Sequence, residues 1–238
     1  HLYLLGVDCL AIIREYSVAR YKRGFDSISA IRHLAKFDKD LMIWIRKIGS
    51  VETSLRWHQP FEVVDALARA ILYQQLHGRA AATIVAKVEQ AINSKRIQAS
   101  TLASLSDLQL RECGVSANKL LALRDLARRE LTGEIPTTRQ LQYMSNQQII
   151  DALTPTRGIG AWTVEMMLMF RLGRQDVLPV DDFGIRKGMQ VLDRLAKMPT
   201  AKELKARGEI WSPYQTMASL YLWRIADFDK KPIKRSQS

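Results

Sequence analysis

Helical spacing of apolar residues is the sequence feature that most constrains the fold of this chain. In one stretch the apolar positions fall at i, i+3, i+4, i+7 and i+8, which is one face of a helix; they are Val64, Leu67, Ala68, Ile71 and Leu72. Residues 214–225 repeat this pattern near the C-terminus. Convincing alternation of apolar and polar residues, which is typical of strands, is absent from the sequence. The sequence therefore predicts an all-α protein of about ten helices.

Several helix boundaries can be predicted from the capping residues. Ser116 is a candidate N-cap for a helix that carries Leu120, Leu123 and Ala127. Ser212 followed by Pro213 predicts the start of the last helix, because proline is well tolerated in a first turn. Residues 164–170 are apolar on nearly all sides, which predicts a helix buried in the middle of the protein.

The charge balance favours a polyanionic partner. The 238 residues include 36 Lys and Arg against 24 Asp and Glu, which gives a formal net charge of +12. At 47% hydrophobic and 25% charged residues, the composition is that of a globular protein. A strongly basic chain of this kind binds nucleic acid more often than an anionic membrane. Charge alone does not decide the partner.

The cysteine count and the apolar runs exclude several classes of protein. Cys9 and Cys113 are the two cysteines, which suits a reducing compartment and excludes a disulfide framework. Two cysteines are also too few for an iron–sulfur cluster or a zinc site held by four thiolates. No apolar run approaches the roughly 20 residues of a membrane span, so we expect no membrane association. Tyr3–Val7 is apolar but lacks a preceding basic region, so we expect no signal peptide.

A turn with two glycines is the first segment that suggests chemistry. Gly158 and Gly160 lie between one predicted helix and the start of the next. Glycines allow positive φ and a close approach of the backbone, so the amides of the turn and of the following helix can point outward together. Such an amide cluster at a helix N-terminus can bind phosphate. On these residues alone, an ordinary tight turn between two helices is the more common explanation.

Two adjacent carboxylates follow at a second break in the pattern. Asp181 and Asp182 come after a Leu178-Pro179 turn and precede a predicted helix. One of the two can cap that helix while the other faces a cavity. A pair of aspartates in this position is more often a simple cap.

Four segments in order resemble the helix–hairpin–helix DNA glycosylase superfamily, and within it the 3-methyladenine DNA glycosylase II group. The resemblance covers Asp26 to Phe228, and the segments that carry it are residues 70–81, 153–166, 177–185 and 211–224. It implies a two-lobed all-α fold with the active site in the cleft between the lobes. It also predicts an atypical extension at residues 1–25, a glycosylase domain at 26–228 with its hairpin at 153–170, a basic tail at 229–238, and no N-terminal β-domain.

The resemblance implies a monofunctional DNA glycosylase that hydrolyses the N-glycosidic bond of alkylated purines such as 3-methyladenine and 7-methylguanine, and so starts base excision repair. The target base would be flipped out of the duplex into a pocket. Asp182 corresponds to the catalytic carboxylate, and Asp181 is then left with the capping role. Trp162 stands where glycosylases that also cut the DNA backbone carry a nucleophilic lysine, so we expect no lyase activity.

The remaining site residues are also implied by the resemblance. They are Trp162, Trp223 and Met166 in the base pocket; Gly158, Gly160 and Thr163 at the hairpin; Gln75, Leu76 and His77 as the wedge that fills the hole left by the flipped base; and the carbonyls of Thr154, Thr156 and Ile159 around a monovalent Na⁺ or K⁺ ion. For Trp223 core packing is the alternative, and for the wedge it is a buried helix end. No cofactor is expected to be required, and no iron–sulfur cluster is expected.

Two other functions remain open at this point. The first is a helix–hairpin–helix module that binds DNA without chemistry, although such a module has no use for Asp182 beside phosphates. The second is a bifunctional glycosylase/lyase, against which Trp162 argues. In either case we expect a monomer whose partner is double-stranded DNA. For a glycosylase, this DNA contains damaged bases. We expect it in the cytoplasm at a bacterial nucleoid, or in a eukaryotic nucleus.

The net charge of +12 predicts how DNA binding depends on salt. Each phosphate neutralised contributes about −0.9 to the slope of log K against log salt, so several contacts should give a slope of roughly −3 to −6. The measurement is fluorescence anisotropy of a labelled duplex titrated at a series of KCl concentrations. A flat salt profile would argue against DNA as the main partner.

Overall fold

The computed structural model describes residues 23–51, 57 and 59–229, and this part of the chain contains α-helices, one 3₁₀ helix and no strand. The α-helices are α1 Ser27–Phe37, α2 Lys39–Ile48, α3 Val63–Tyr73, α4 Gly78–Ala91, α5 Ala99–Ser104, α6 Asp107–Glu112, α7 Ala117–Leu131, α8 Thr138–Leu141, α9 Asn146–Leu153, α10 Ala161–Phe170, α11 Phe183–Leu192, α12 Ala201–Gly208 and α13 Gln215–Asp229. The 3₁₀ helix, Glu209–Trp211, follows α12. The all-α prediction is confirmed.

The described residues form thirteen α-helices rather than about ten. The additional helices are short: α5 and α6 have six residues each and α8 has four. Two turns are needed before the i, i+3, i+4, i+7 pattern can be recognised, so periodicity misses helices of this length. Several begin at a capping box, in which a Ser or Thr side chain and a Gln or Glu three residues later satisfy each other's backbone N–H; the N-caps are Ser106, Thr137, Ser145 and Thr200.

Two hydrophobic cores divide the molecule into two lobes. The first core is formed by buried residues between Val63 and Val177, on α3 to α10 and the segment that follows α10, and we call this part the first lobe. The second core combines buried residues of α1 and α2 with those between Leu178 and Ile225, and we call it the second lobe. Leu220 and Trp223 pack against both cores. The second lobe is thus assembled from helices that lie far apart in the sequence.

The segment between α10 and α11, which we call the crossing segment because it connects the first lobe to the second, is fixed by buried polar groups. Arg174 is 6% exposed, and its Nη2 donates to the carbonyl oxygens of Leu141 at 2.7 Å and Met144 at 2.8 Å. The hydroxyl of Thr216 on α13 donates to the Arg174 carbonyl at 2.6 Å and accepts the N–H of Val177 at 3.1 Å. Because buried polar groups are costly unless they are hydrogen-bonded, these bonds hold the crossing segment in one path. That path leads to the start of α11.

The predicted cap of the last helix is wrong. α13 begins at Gln215 rather than at Pro213. Its first N–H donates to Asp176 Oδ1 at 3.2 Å, and the Ser212 hydroxyl donates to the other oxygen of Asp176 at 2.8 Å. A carboxylate from the crossing segment therefore replaces the local serine, which sequence patterns cannot reveal. Ser116 does occupy the N-cap position of α7, although its side chain makes no capping hydrogen bond.

The two ends of the sequence lie mostly outside the described residues. Of the predicted extension, residues 23–25 are described, and they pack onto the domain. Arg23 donates to the Arg171 carbonyl at 2.7 Å and 3.1 Å, and the Phe25 ring lies 4.7 Å from that of Trp57. Residues 1–22 and 230–238, which include the basic residues of the predicted tail, are outside the described part. No helix in the described residues is long and apolar enough to cross a bilayer.

The crossing of α11 and α13 predicts a stability effect at Gly188. A Cβ added at Gly188 would collide with the backbone carbonyl of Leu222, which cannot move without shifting α13. We expect Gly188→Ala to lower the free energy of unfolding by about 1–3 kcal/mol, as overpacking does in other cores. Urea denaturation measures the difference, and Gly78→Ala, which has nothing within 4 Å of its added Cβ, is the control. Equal midpoints for the two variants would contradict this packing.

Candidate active site

Asp182 is the N-cap of α11 and lies where the two lobes meet. Its Oδ1 accepts the backbone N–H of Ile185 at 2.8 Å, which closes the first turn of the helix. The backbone N–H of Asp182 donates to the Pro179 carbonyl at 3.1 Å, so the Leu178-Pro179 turn fixes the residue from the other side. The side chain is half-buried. The carboxylate is thereby held in one orientation by the local backbone.

Two tryptophan indoles donate to the same carboxylate. Trp162, at the start of α10 in the first lobe, donates its Nε1 hydrogen to Asp182 Oδ2 at 2.7 Å. Trp223, on α13 in the second lobe, donates to Oδ1 at 2.8 Å. The indole of Trp223 approaches because residue 184 is glycine: a Cβ there would lie 2.7 Å from Trp223 Cδ1 and 3.2 Å from Asp182 Oδ1. Three N–H donors therefore converge on Asp182, and it has no salt-bridge partner among the described residues.

The capping role that the sequence assigned to Asp181 belongs to Asp182. Asp181 is exposed, and its side chain makes no hydrogen bond within the described part of the chain. One carboxylate has two oxygens and several lone pairs, so Asp182 can cap α11 with Oδ1 and still present Oδ2 to the first lobe. The expectation that one aspartate caps while its neighbour faces the site is therefore wrong.

A cavity of about 770 Å³ opens beside Trp162, between α3 and α10. Trp162 is 49% exposed, so a large part of its ring is free to contact a ligand. The described residues that line the cavity are Ala66, Leu67, Arg69, Ala70, Tyr73, Gln74, Gln75, Trp162, Thr163, Met166, Met167, Phe170 and Arg171. Apolar and aromatic walls with a few polar groups are typical of a ligand-binding pocket.

The structure brings two of the three predicted pocket residues to this cavity. Trp162 and Met166 line it, whereas Trp223 lies behind Phe170, with the two rings stacked at a centroid distance of 6.0 Å and an angle of 17°. Phe170 supplies the cavity wall that the sequence assigned to Trp223. The prediction of a buried helix at residues 164–170 is therefore only partly right, because Phe170 at the end of α10 is exposed. Nothing in its local sequence distinguished Phe170 from a core residue.

The hairpin presents free backbone amides. Within the described residues, the N–H groups of Gly158, Gly160, Ala161 and Trp162 make no hydrogen bond, whereas that of Thr163 donates to the Gly160 carbonyl at 3.0 Å. Thr163 thus contributes its side chain to the cavity rather than an amide to the hairpin. Four free donors at the N-terminus of α10, where the helix dipole is positive, can bind an anion. Ala161 and Trp162 belong to the first turn of α10, whose amides the sequence analysis expected to point outward without naming these two residues.

Residues of α7 hold the hairpin in place. The backbone N–H of Arg157 donates to Asp125 Oδ2 at 2.8 Å, and a Cβ at Gly158 would lie 3.3 Å from that of Ala122. Gly158 has φ of +78°, a conformation that glycine adopts without strain. The Arg157 side chain is exposed and has no partner among the described residues, so it adds a positive charge beside the free amides.

The predicted wedge residues are on the surface. Gln75, Leu76 and His77 form the exposed loop between α3 and α4, and Leu76 is 39% exposed. The alternative of a buried helix end is therefore wrong for these residues. Gln75 has φ of +57°, an unusual conformation for a residue with a side chain.

Glu165 is a site residue that the sequence analysis missed. It lies one turn after Trp162 on α10, and burial raises its pKa to about 7, with Asp181 and Asp182 adding repulsion. It makes no hydrogen bond within the described residues. A single carboxylate in an otherwise apolar helix was the available signal, since such a residue needs either a partner or a proton.

The chain is similar to proteins of a known family. A family model described as HhH-GPD superfamily base excision DNA repair protein matches residues 68–213. The chain therefore belongs to the HhH-GPD superfamily of base excision DNA repair proteins, and the resemblance predicted from the sequence is confirmed. The matched region contains the hairpin, Asp182 and the exposed loop Gln75–His77.

Relatives place the chain beside alkylbase glycosylases within that superfamily. DNA-3-methyladenine glycosylase 1 of Schizosaccharomyces pombe is 36% identical over 210 residues, which cover 85% of this chain and 90% of the relative. The fold is similar to that of the Schizosaccharomyces pombe 3-methyladenine DNA glycosylase in complex with abasic DNA, with a TM-score of 0.72, 33% identity and coverage of 86% of this chain and 99% of that one. A DNA-3-methyladenine glycosidase from Bacillus halodurans gives a TM-score of 0.77 at 31% identity, covering 89% and 95%.

The raised pKa of Glu165 predicts a pH-dependent stability. Its folded pKa of about 7 exceeds the ordinary 4.5, so the folded state holds this proton more tightly than the unfolded chain. Stability is then lost as pH rises from about 4.5 to 7 and is constant above that range. Glu165→Gln should therefore gain stability over wild type as pH rises from 5 to 8, by about 1 kcal/mol after allowance for solvent screening.

Thermal melts at pH 5, 6, 7 and 8 measure this gain. Glu112→Gln, at an exposed position at the end of α6, is the matched control for the loss of one carboxylate. A constant difference between Glu165→Gln and wild type across the whole range would contradict the protonated state.

Proposed function

We propose that this protein is a monofunctional DNA glycosylase that removes alkylated purines, such as 3-methyladenine and 7-methylguanine, by hydrolysis of the N-glycosidic bond. The observation that carries the proposal is the Asp182 carboxylate, which three N–H donors orient and which accepts a hydrogen bond from Trp162, an exposed residue of the cavity wall. Its membership of a base excision repair superfamily and the names of its relatives support the same reaction.

Asp182 performs the electrostatic part of the reaction. Breaking an N-glycosidic bond develops positive charge on the sugar, as in an oxocarbenium ion. A carboxylate held in place before the reaction stabilises that charge without the cost of reorganising solvent. The indoles of Trp162 and Trp223 fix its two oxygens from opposite lobes. The same carboxylate can orient the water that attacks the sugar.

The cavity suits a flat and electron-poor base. An N-alkylated purine is cationic, so it is already a good leaving group and needs little acid catalysis. The exposed ring of Trp162 and the ring of Phe170 offer aromatic faces to such a cation. Met166 lies one helical turn from Trp162 and gives this wall a flexible and polarisable side chain. Shape and stacking can therefore select the base while Asp182 acts on the sugar.

Trp162 also supports hydrolysis without strand cleavage. A lyase needs a nucleophilic amine at this position to attack the sugar and form a Schiff base. The indole nitrogen of Trp162 is not nucleophilic, and its hydrogen is donated to Asp182. Water is then the nucleophile, and the product is an intact strand with an abasic site.

The DNA-binding surface combines the hairpin with the wedge loop. The free amides from Gly158 to Trp162 suit a backbone phosphate. The exposed loop Gln75–His77 suits insertion into the space left by a flipped base. The partner is double-stranded DNA that contains a damaged base, and the protein acts as a monomer. A module that only binds DNA is the weaker candidate, because a carboxylate adjacent to phosphates opposes binding.

The hairpin also meets part of the requirement for a monovalent cation. The Thr156 hydroxyl oxygen is buried and has no hydrogen-bond partner, so its lone pairs are available to coordinate a cation. The Thr156 carbonyl accepts the N–H of Ile159 at 3.0 Å and retains one lone pair. With the carbonyls of Thr154 and Ile159 it would hold Na⁺ or K⁺, whose charge would attract the same phosphate. No cofactor is proposed for the hydrolysis itself.

Asp182→Asn should abolish most of the activity. The amide keeps an oxygen for the cap of α11, but it removes the negative charge and directs N–H groups towards an indole N–H. We expect single-turnover release of 3-methyladenine to fall by about 10²–10³, the usual effect of losing one electrostatic stabiliser. The assay measures free base and, separately, strand breaks before and after alkali. With the wild type, strand breaks should appear only after alkali is added.

Asp181→Asn is the matched control. Its side chain is exposed and unbonded within the described residues, so release and stability should stay near wild type, within about 0.5 kcal/mol for stability. An inactive Asp181→Asn beside an active Asp182→Asn would transfer the catalytic role to Asp181. Full activity in both variants would rule out the carboxylate mechanism.

A further inference from the structure

The exposed loop Gln75–His77, which we call the wedge loop, lacks hydrogen bonds of its own to the hairpin in the described structure. Leu76 donates its N–H to the Tyr73 carbonyl at 3.3 Å, and the His77 carbonyl accepts from Ala81, so both bonds are local. Gln75 holds a left-handed conformation, with φ of +57°. A short loop of this kind needs a fixed point of attachment if its side chains are to enter a duplex at a defined depth.

Gln74 supplies a connection between the wedge loop and the hairpin. It is the first residue after α3, and its side-chain Nε2 donates to the Gly158 carbonyl at 2.7 Å. The two residues are 84 positions apart in the sequence. The left-handed conformation of Gly158 sets the direction of this peptide. The bond therefore joins the residue that precedes the wedge loop to the middle of the hairpin turn.

Other contacts fix each element to α7 without joining them to each other. Asp125 accepts the N–H of Arg157 in the hairpin at 2.8 Å. Lys119 donates its Nζ hydrogen to the Leu72 carbonyl, near the end of α3, at 2.7 Å. Neither contact reaches residues 75–77. Gln74 thus differs from both, because its bond spans the gap between the two exposed elements.

We propose that Gln74 is a positioning residue that sets the distance between the wedge loop and the hairpin. In a duplex, the phosphate bound at the hairpin and the gap left by a flipped base lie at a fixed separation. A wedge held at the matching separation inserts without a further loss of conformational freedom, which is the general advantage of preorganisation. This inference rests on the proposed function of both elements, and it assigns to Gln74 the coupling between them.

Gln74→Met tests the coupling, because methionine keeps the length of the side chain but cannot donate to the Gly158 carbonyl. The probes are an undamaged duplex and the same duplex with a tetrahydrofuran abasic-site analogue opposite 2-aminopurine. We expect Gln74→Met to bind undamaged DNA with wild-type affinity and salt slope. Its preference for the abasic duplex should fall about tenfold, as expected for one hydrogen bond. The 2-aminopurine fluorescence change, which reports insertion beside the orphan base, should shrink with it.

Two control variants separate coupling from loss of structure. Gln90→Met makes the same chemical change at an exposed position of α4, where the side chain makes no hydrogen bond within the described residues. Lys119→Met removes a hydrogen bond at the same end of α3 but leaves the Gln74–Gly158 bond in place. Both should keep the preference for abasic DNA and the full fluorescence change.

Three results would overturn the inference. The first is a Gln74→Met variant that keeps the wild-type preference for abasic DNA. The second is a loss in Lys119→Met as large as that in Gln74→Met, since it would indicate a general effect of loop stability. A wild-type protein that releases no base and does not prefer abasic DNA would overturn both the coupling and the proposed function. If the wild type prefers abasic DNA and only Gln74→Met loses that preference, the coupling is supported.

Discussion

The convergence of three N–H donors on the Asp182 carboxylate is the interaction on which the candidate site depends. Ile185 contributes its backbone and Trp223 its indole from the second lobe, while Trp162 donates from the first. The bond from Trp162 crosses the junction between two separate hydrophobic cores. The orientation of the carboxylate therefore depends on how the lobes pack, and it needs no cationic partner among the described residues. In the proposed reaction, its negative charge would stabilise the cation that develops on the sugar.

The proposed DNA-binding surface follows the same principle of fixed spacing. α7 supports the hairpin through Asp125, and it supports the end of α3 through Lys119. Gln74 then joins the loop after α3 to the hairpin turn. The proposed phosphate site, the proposed insertion loop and the cavity thereby lie on the same lobe. Asp182 reaches this arrangement from the other lobe, at the N-terminus of α11.

Much of the site could be predicted from the sequence, because its chemistry is concentrated in short segments. The glycines at 158 and 160 stand out by residue type and spacing, and the choice of the carboxylate at 182 follows from the family resemblance. The errors arose where the sequence offered two equivalent neighbours or a distant partner. Asp181 and Asp182 have the same capping propensity, and the path of the crossing segment decides between them. Glu165 was missed because its raised pKa comes from burial, which the sequence does not show.

The sequence by itself determined the all-α class, the longer helices and the hairpin, because apolar periodicity and turn chemistry act over a few residues. Only the tertiary structure decided that α1 and α2 pack with α11 and α13, that Phe170 rather than Trp223 walls the cavity, and that Asp176 caps α13. The bonds that shape the site join residues 20, 41 and 84 positions apart. Such distances are set by the packing of two cores, which no local pattern encodes.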